Sequence, residues 1–127
     1  MSGKTTYELI GGEAGVARLT ERFYQLMESV PQFRELRKLH PEDLAGSRDK
    51  LFMFLSGWSG GPQLYLEARG HPRLRMRHMP FVIGPAERDQ WVWCMHKALD
   101  ELDTQPQVRD YLKAHFVDAA EFLRNND

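Results

Sequence analysis

Residues 73–81 read RLRMRHMPF: arginine at every second position, then His78, Met79, Pro80 and Phe81. A basic run that leads into one histidine and stops at a proline fits a nucleic-acid patch, a metal centre or the rim of a cofactor pocket. Between Glu67 and Glu87 the chain carries no acidic residue, while Arg69, Arg73, Arg75 and Arg77 fall there with His71 and His78. A solvated basic loop has the same composition, so the rest of the chain has to decide.

A length of 127 residues is that expected of one domain. With 42% hydrophobic residues and a net charge near −1, the chain can bury an ordinary core and has no global attraction to DNA or acidic lipid. Any basic site is therefore local. Cys94 is the single cysteine, which excludes an intramolecular disulfide and a multi-cysteine zinc site and makes this thiol a small core hydrophobe. The opening MSGKTTYELIGG lacks the apolar core of a signal peptide, and no apolar run approaches the roughly 20 residues of a membrane span. A soluble, cytoplasmic protein is expected.

Outside the arginine window the pattern is helical. Thr5 and Glu8 predict a capped first helix, which Gly11 and Gly12 end. A second helix starts near Glu13, with Val16, Leu19, Phe23, Leu26 and Val30 on one stripe and Tyr24 and Met27 on its flank. Pro31 opens a helix over 31–39, and His40, before Pro41, sits at a corner. Ser47 is the expected N-cap of a helix bearing Leu51, Phe54, Leu55 and Trp58, which GGP at 60–62 stops. Short helical pieces follow near 63–67 and 74–78. Pro85 opens a long helix to about Leu102, with Val92, Met95, Leu99 and Leu102 inward and Trp91 and Cys94 beside them. Pro106 opens the last, with Val108, Leu112, His115, Phe116, Ala119 and Phe122 on its inner face. The sum is an all-α domain of about five main helices.

The five histidines (His40, His71, His78, His96, His115) have neither HxxxH nor HxxH spacing, which argues against zinc with its three or four protein ligands. Haem needs less, because the porphyrin brings four nitrogens and one histidine holds the iron. Its propionates call for nearby cations, and arginine offers a planar fork for carboxylates. His78, with Arg75 and Arg77 before it and Met79 and Phe81 after it, fits a ring edge that is anionic on one side and apolar on the other. The pattern alone leaves His78 either an iron ligand or a loop histidine. His71 is expected to organise its loop, and His96 and His115 to lie on helix surfaces or flanks.

The paired glycines after the first helix, RFY at 22–24, HPEDLAG at 40–46, GGP at 60–62, GHPRLRMRH at 70–78 and ERDQWVWCMH at 87–96 together resemble the group II truncated haemoglobins along essentially the whole chain. The resemblance implies a shortened globin, helices packed two over two around haem b, with His78 as proximal ligand. It also implies that Lys50, Arg77 and Arg75 meet the propionates, and that Tyr24 and Trp91 point at bound ligand. His40 stands at the corner where relatives usually carry tyrosine or phenylalanine. Ser47 stands at the distal gate, with Leu51 one turn on against the haem face. Phe23, Phe54, Trp58, Phe81 and Met95 are candidates for haem packing or for core.

Such a protein reversibly binds oxygen and other diatomic ligands at ferrous iron. The Tyr24 hydroxyl, the Trp91 indole N–H and an imidazole N–H of His40 form up to three donors in a water-poor pocket, where donors count for more than in water. The alternative is a haem enzyme, oxidising nitric oxide or using peroxide. No flavin or nicotinamide motif is present, so turnover calls for an external reductase. A third reading makes the arginine loop a nucleic-acid contact, against which the even charge and the lack of interleaved aromatics both speak. The expected ligands are oxygen, nitric oxide, carbon monoxide or peroxide, with no nucleic acid and no membrane, in a monomer or weak homodimer.

Overall fold

The computed structural model describes residues 5–125, apart from the side chain of Arg75. Thr5 caps α1 (Thr6–Leu9) through the expected reciprocal pair: its Oγ1 accepts the Glu8 N–H at 3.2 Å, and Glu8 Oε1 accepts the Thr5 N–H at 3.1 Å. Gly11 then takes φ +107°, a conformation side chains resist, and the chain turns into α2 (Gly12–Ser29), one residue earlier than the sequence suggested.

Pro31 opens a 3-10 turn, Pro31–Phe33, that passes into the short α3 (Arg34–Lys38) where one helix to residue 39 was expected. The Phe33 N–H bonds the Val30 carbonyl three residues back, which winds this segment tighter than an α-helix. The next helix, α4 (Ala45–Trp58), corrects a second expectation. Ser47 is not its N-cap: the Asp43 carboxylate accepts the Ala45 N–H at 2.9 Å and the helix starts three residues earlier, leaving Ser47 inside the first turn. After α4 come α5 (Leu64–Arg69) and α6 (Leu74–His78), then the long α7 (Pro85–Asp100) and α8 (Pro106–Leu123). No strand occurs among the described residues. α7 stops two residues short of the expected Leu102, which a 3.1 Å bond from its N–H to the Leu99 carbonyl still folds into the core.

α2 packs on both α4 and α7, and α7 packs on α8. These four helices form the two-over-two arrangement. Val16, Leu19, Phe23, Met27, Cys94, Met95, Leu99 and Leu112 are fully or almost fully buried between them. The inner face of α8 is narrower than its sequence stripe: Leu112, Phe116 and Ala120 are buried, whereas His115 and Phe122 are exposed. His115 leaves that stripe and lies on the helix surface, as expected of it among the histidines, its ring 4.2 Å from that of Tyr111. Cys94 is buried as expected, and desolvation pushes its thiol up to about 12. At the other end, α1 lies against the GGP turn. Tyr7 donates its N–H to the Ser59 carbonyl at 2.8 Å, and its ring covers Gly61 so closely that a Cβ there would collide with it. No described helix is long and apolar enough to cross a membrane.

Leu99 has no exposure and lies on the face of α7 at the centre of this core. Leu99→Ala is expected to lower unfolding free energy by about 2–5 kcal/mol, measured by urea denaturation. A loss below 1 kcal/mol would contradict this packing.

Candidate functional site

The His78 side chain is fixed by its own helix. Its Nδ1 lies 2.6 Å from the Leu74 carbonyl oxygen four residues back. A carbonyl only accepts, so Nδ1 carries the hydrogen and Nε2 keeps a lone pair, the form in which imidazole binds a metal. The surroundings are apolar and uncovered: Met79 is 58% exposed, Phe81 43% and Val82 63%. Consecutive apolar side chains left in water are uncommon beside a polar anchor, and they suit a large apolar ligand.

A chain of aromatic rings is drawn from four helices and the corner after α3. His40 meets Tyr24 with centroids 5.9 Å apart, Tyr24 meets Phe23 at 5.0 Å, Phe23 meets Trp91 at 5.5 Å, Trp91 meets Phe116 at 5.7 Å, and Phe116 stacks on Trp58 at 4.9 Å. The first four contacts are edge-on, the geometry that ring quadrupoles favour. The fold thus brings together Tyr24, His40, Trp91, Phe23 and Trp58, which are distant in sequence. Phe116, expected only as core, is the link between Trp91 and Trp58.

The three polar groups of this chain differ in what they can offer. The Tyr24 hydroxyl donates to the Ser47 carbonyl at 3.3 Å, at the long end of the range, and burial raises its pKa well above the usual phenol value, with the Arg48 cation acting weakly the other way. Trp91 is half-buried, and its indole N–H has no acceptor among the described residues. His40 repeats the arrangement of His78: its Nδ1 donates to the Leu36 carbonyl at 3.0 Å, four residues back. Burial holds its pKa below the ordinary imidazole value; the Leu36 bond opposes this, and the charges of Arg37 and His78 add to it. Neutral His40 therefore turns a lone pair, not an N–H, on Nε2. In this tautomer the imidazole N–H is taken by Leu36, so a third donor toward the aromatic chain calls for the protonated ring.

Two residues that sequence reasoning passed over hold His40. Arg37 donates to the carbonyls of His40, Pro41 and Glu42 at 3.4, 2.9 and 2.7 Å. Gln90, next to Trp91, accepts the Leu36 N–H at 3.1 Å, tying α3 to α7. The remaining expected site residues divide. Ser47 and Leu51 are half-buried in consecutive turns of α4. Lys50 and Arg77 are exposed and form no ion pair with any described residue. The side chain of Arg75 lies outside the described residues. Phe23 and Met95 are fully buried in the core. Phe54 faces Tyr65 edge-on at 6.5 Å and, with Trp58, lines a solvent-open cleft of about 270 Å³ between α4 and α5. Phe81 belongs to the turn after His78, where its N–H bonds the His78 carbonyl at 3.0 Å. His71 organises its loop as expected, its Nδ1 accepting the Arg73 N–H at 3.1 Å.

Among the described residues no three His, Cys, Asp or Glu side chains come together as a bare-metal site. His40 and His78 share the free Nε2, but only His78 has it beside exposed apolar side chains and an exposed arginine, which matches a metal that arrives with its own equatorial ligands in an apolar, carboxylate-edged ring.

The chain matches the family model of the bacterial-like globins over residues 5–125. It is 39% identical to the group 2 truncated haemoglobin YjbI of Bacillus subtilis over 106 residues, 84% of this chain and 77% of that protein. Among solved structures it superposes on the cold-adapted truncated haemoglobin of the Antarctic bacterium Pseudoalteromonas haloplanktis with a TM-score of 0.95 and 44% identity, covering 98% of this chain and 100% of that one. For the group II 2-on-2 haemoglobin of Agrobacterium tumefaciens the values are 0.96 and 42%, over 100% and 98% of the two chains. With its all-α fold, its histidine at an exposed apolar rim and these relatives, the chain belongs to the bacterial-like globins, as a haem-binding truncated haemoglobin of group II.

Proposed function

We propose that this protein takes up oxygen and related diatomic molecules reversibly on haem b anchored by His78. The observation that carries the proposal is the bond from His78 Nδ1 to the Leu74 carbonyl, which leaves Nε2 basic at an apolar rim. Bound haem supplies the ferrous iron that accepts the diatomic molecule; the chain supplies the rest. Lys50, Arg77 and Arg75 are the cations for the two propionates. Met79, Phe81 and Val82 gain an apolar cover. On the distal side Trp91 is the principal donor to a polar ligand, because its N–H is free of protein acceptors. Tyr24 is the second, since its hydroxyl must leave the Ser47 carbonyl to donate elsewhere. Ser47 and Leu51, on the first turns of α4, stand at the entrance.

His40 has a conditional part. At neutral pH its Nε2 can only accept, so it steadies Tyr24 and does not itself donate to the ligand. Protonation turns Nε2 into a donor, but burial delays that step to pH values below the ordinary imidazole range. The same shift enters stability. The unfolded chain binds this proton near pH 6.5, the folded chain only lower, so the unfolded state holds more protons between the two values. Stability then rises with pH through that window and is lost on acidification.

Three measurements test these assignments. Visible spectra of the ferric, reduced and CO-bound protein are expected to show a Soret band that shifts on reduction and again with CO, and that His78→Ala abolishes or grossly alters. A colourless protein that takes up no haemin would overturn the reading. Oxygen dissociation, followed by stopped flow, is expected to speed up by roughly fivefold or more in Trp91→Phe, the loss of about one hydrogen bond, and by less in Tyr24→Phe. An unchanged rate in both would remove the distal assignment. Urea unfolding from pH 7.5 down to 5 is expected to show a smaller acid loss of stability in His40→Phe than in the native protein; equal slopes would contradict the buried neutral imidazole.

A further inference from the structure

The helix that presents His78 cannot hold itself in place. α6 has five residues, far below the length at which an isolated helix persists. Arg73, just before it, takes φ +47°, a positive value that non-glycine residues seldom adopt, and Pro80 follows closely on its end. What α6 touches is α8.

Beyond the last turn of α8, a single residue meets the His78 segment with its backbone N–H and with both atoms of its side-chain amide. Asn125 Nδ2 donates to the His78 carbonyl at 3.3 Å and to the Phe81 carbonyl at 2.9 Å. Its Oδ1 accepts the Ile83 N–H at 2.9 Å, and its own N–H donates to the Ile83 carbonyl at 2.9 Å. Four bonds thus converge on residues 78–83. The frame behind Asn125 is firm: the Arg124 N–H bonds the Ala120 carbonyl at 3.1 Å, and Glu121 pairs with Arg88 of α7 at 2.6 Å. Asn125 transmits the position of the packed α7–α8 pair to the backbone of the histidine.

We propose that Asn125 is a positioning residue for the proximal ligand. Its side-chain amide fixes the backbone from His78 to Ile83, and thereby the tilt of the imidazole and the strength of its bond to iron. The inference rests on His78 being that ligand. No position in the sequence separates this asparagine from an ordinary helix stop. Its part is visible only in its four bonds to His78, Phe81 and Ile83.

The test uses the haem-loaded protein. Asn125→Asp keeps the shape and the acceptor for Ile83 but removes both amide hydrogens that reach the His78 and Phe81 carbonyls. The iron–histidine stretching band of the reduced protein, read by resonance Raman, is expected to shift and broaden, and haem transfer to an acceptor globin to quicken by roughly tenfold, as for other partners that orient a metal ligand. Leu112→Ala, a buried change in α8 that touches none of these bonds, is the control: it lowers the unfolding midpoint and leaves the band where it is. Asn125→Ala removes the whole side chain and is expected to exceed Asn125→Asp in both readouts. A native band and native haem loss in both Asn125 variants would overturn the proposal, as would a shift in the Leu112→Ala control equal to theirs. A band that survives in His78→Gly would show instead that another residue ligates the iron, and both readings fall together.

Discussion

One hydrogen bond governs the chemistry of this site, the one from an imidazole Nδ1 to the backbone carbonyl a helical turn earlier. It decides which nitrogen carries the proton, and with it whether the outward nitrogen gives or takes a bond. His78 and His40 both obey it, through Leu74 and Leu36. At His78 the result is a nitrogen lone pair beside an exposed apolar rim. At His40 the same constraint removes a donor that the residue type alone implies. The same local geometry serves one histidine at an exposed apolar rim and another at the end of a chain of aromatic rings.

Around this constraint the fold supplies rigidity from unequal sources. The distal side rests on the aromatic chain and on the close packing of α2 with α7, where apolar burial does the work. The corner of His40 rests on Arg37, which gathers three successive carbonyls that no helix satisfies. The proximal side has little burial to rely on and depends on polar contacts across α6 and the end of α8. A site held by packing on one face and by hydrogen bonds on the other responds differently to its solvent on each face. Denaturants that compete for backbone groups loosen the proximal turn before the core.

Much of this was legible in the sequence. The long helices α2, α7 and α8 follow from apolar spacing and from Pro85 and Pro106 at their first positions, and the capping box at Thr5 is read directly from residue types. The isolation of His78 among cations was equally plain. What stayed hidden depends on groups whose effect lies in where another part of the chain arrives. Asp43 displaces Ser47 at the start of α4 because its carboxylate reaches the Ala45 amide, a contact that competes with an equally good serine signal about one turn later in the same segment. The inner stripe of α8 loses His115 and Phe122 because the helix meets α7 over a narrower face than its hydrophobic pattern spans. Gln90 and Asn125 are polar residues without any periodic signature, and their partners lie 54 and 42 residues away.

The aromatic chain begins at residues 23 and 24 of α2 and is closed by Phe116 of α8, and the proximal turn is secured a few residues later by Asn125. Synthesis runs from the first of these to the last. While a ribosome is still adding α8, the segment carrying His78 already exists but has nothing to brace it, and Trp91 and Trp58 have no ring between them. The haem pocket therefore matures late, as one event, when residues 116–125 become free to dock. A nascent chain stalled before that point carries His78, Tyr24, His40 and Trp91 and still lacks the contacts that hold them in place.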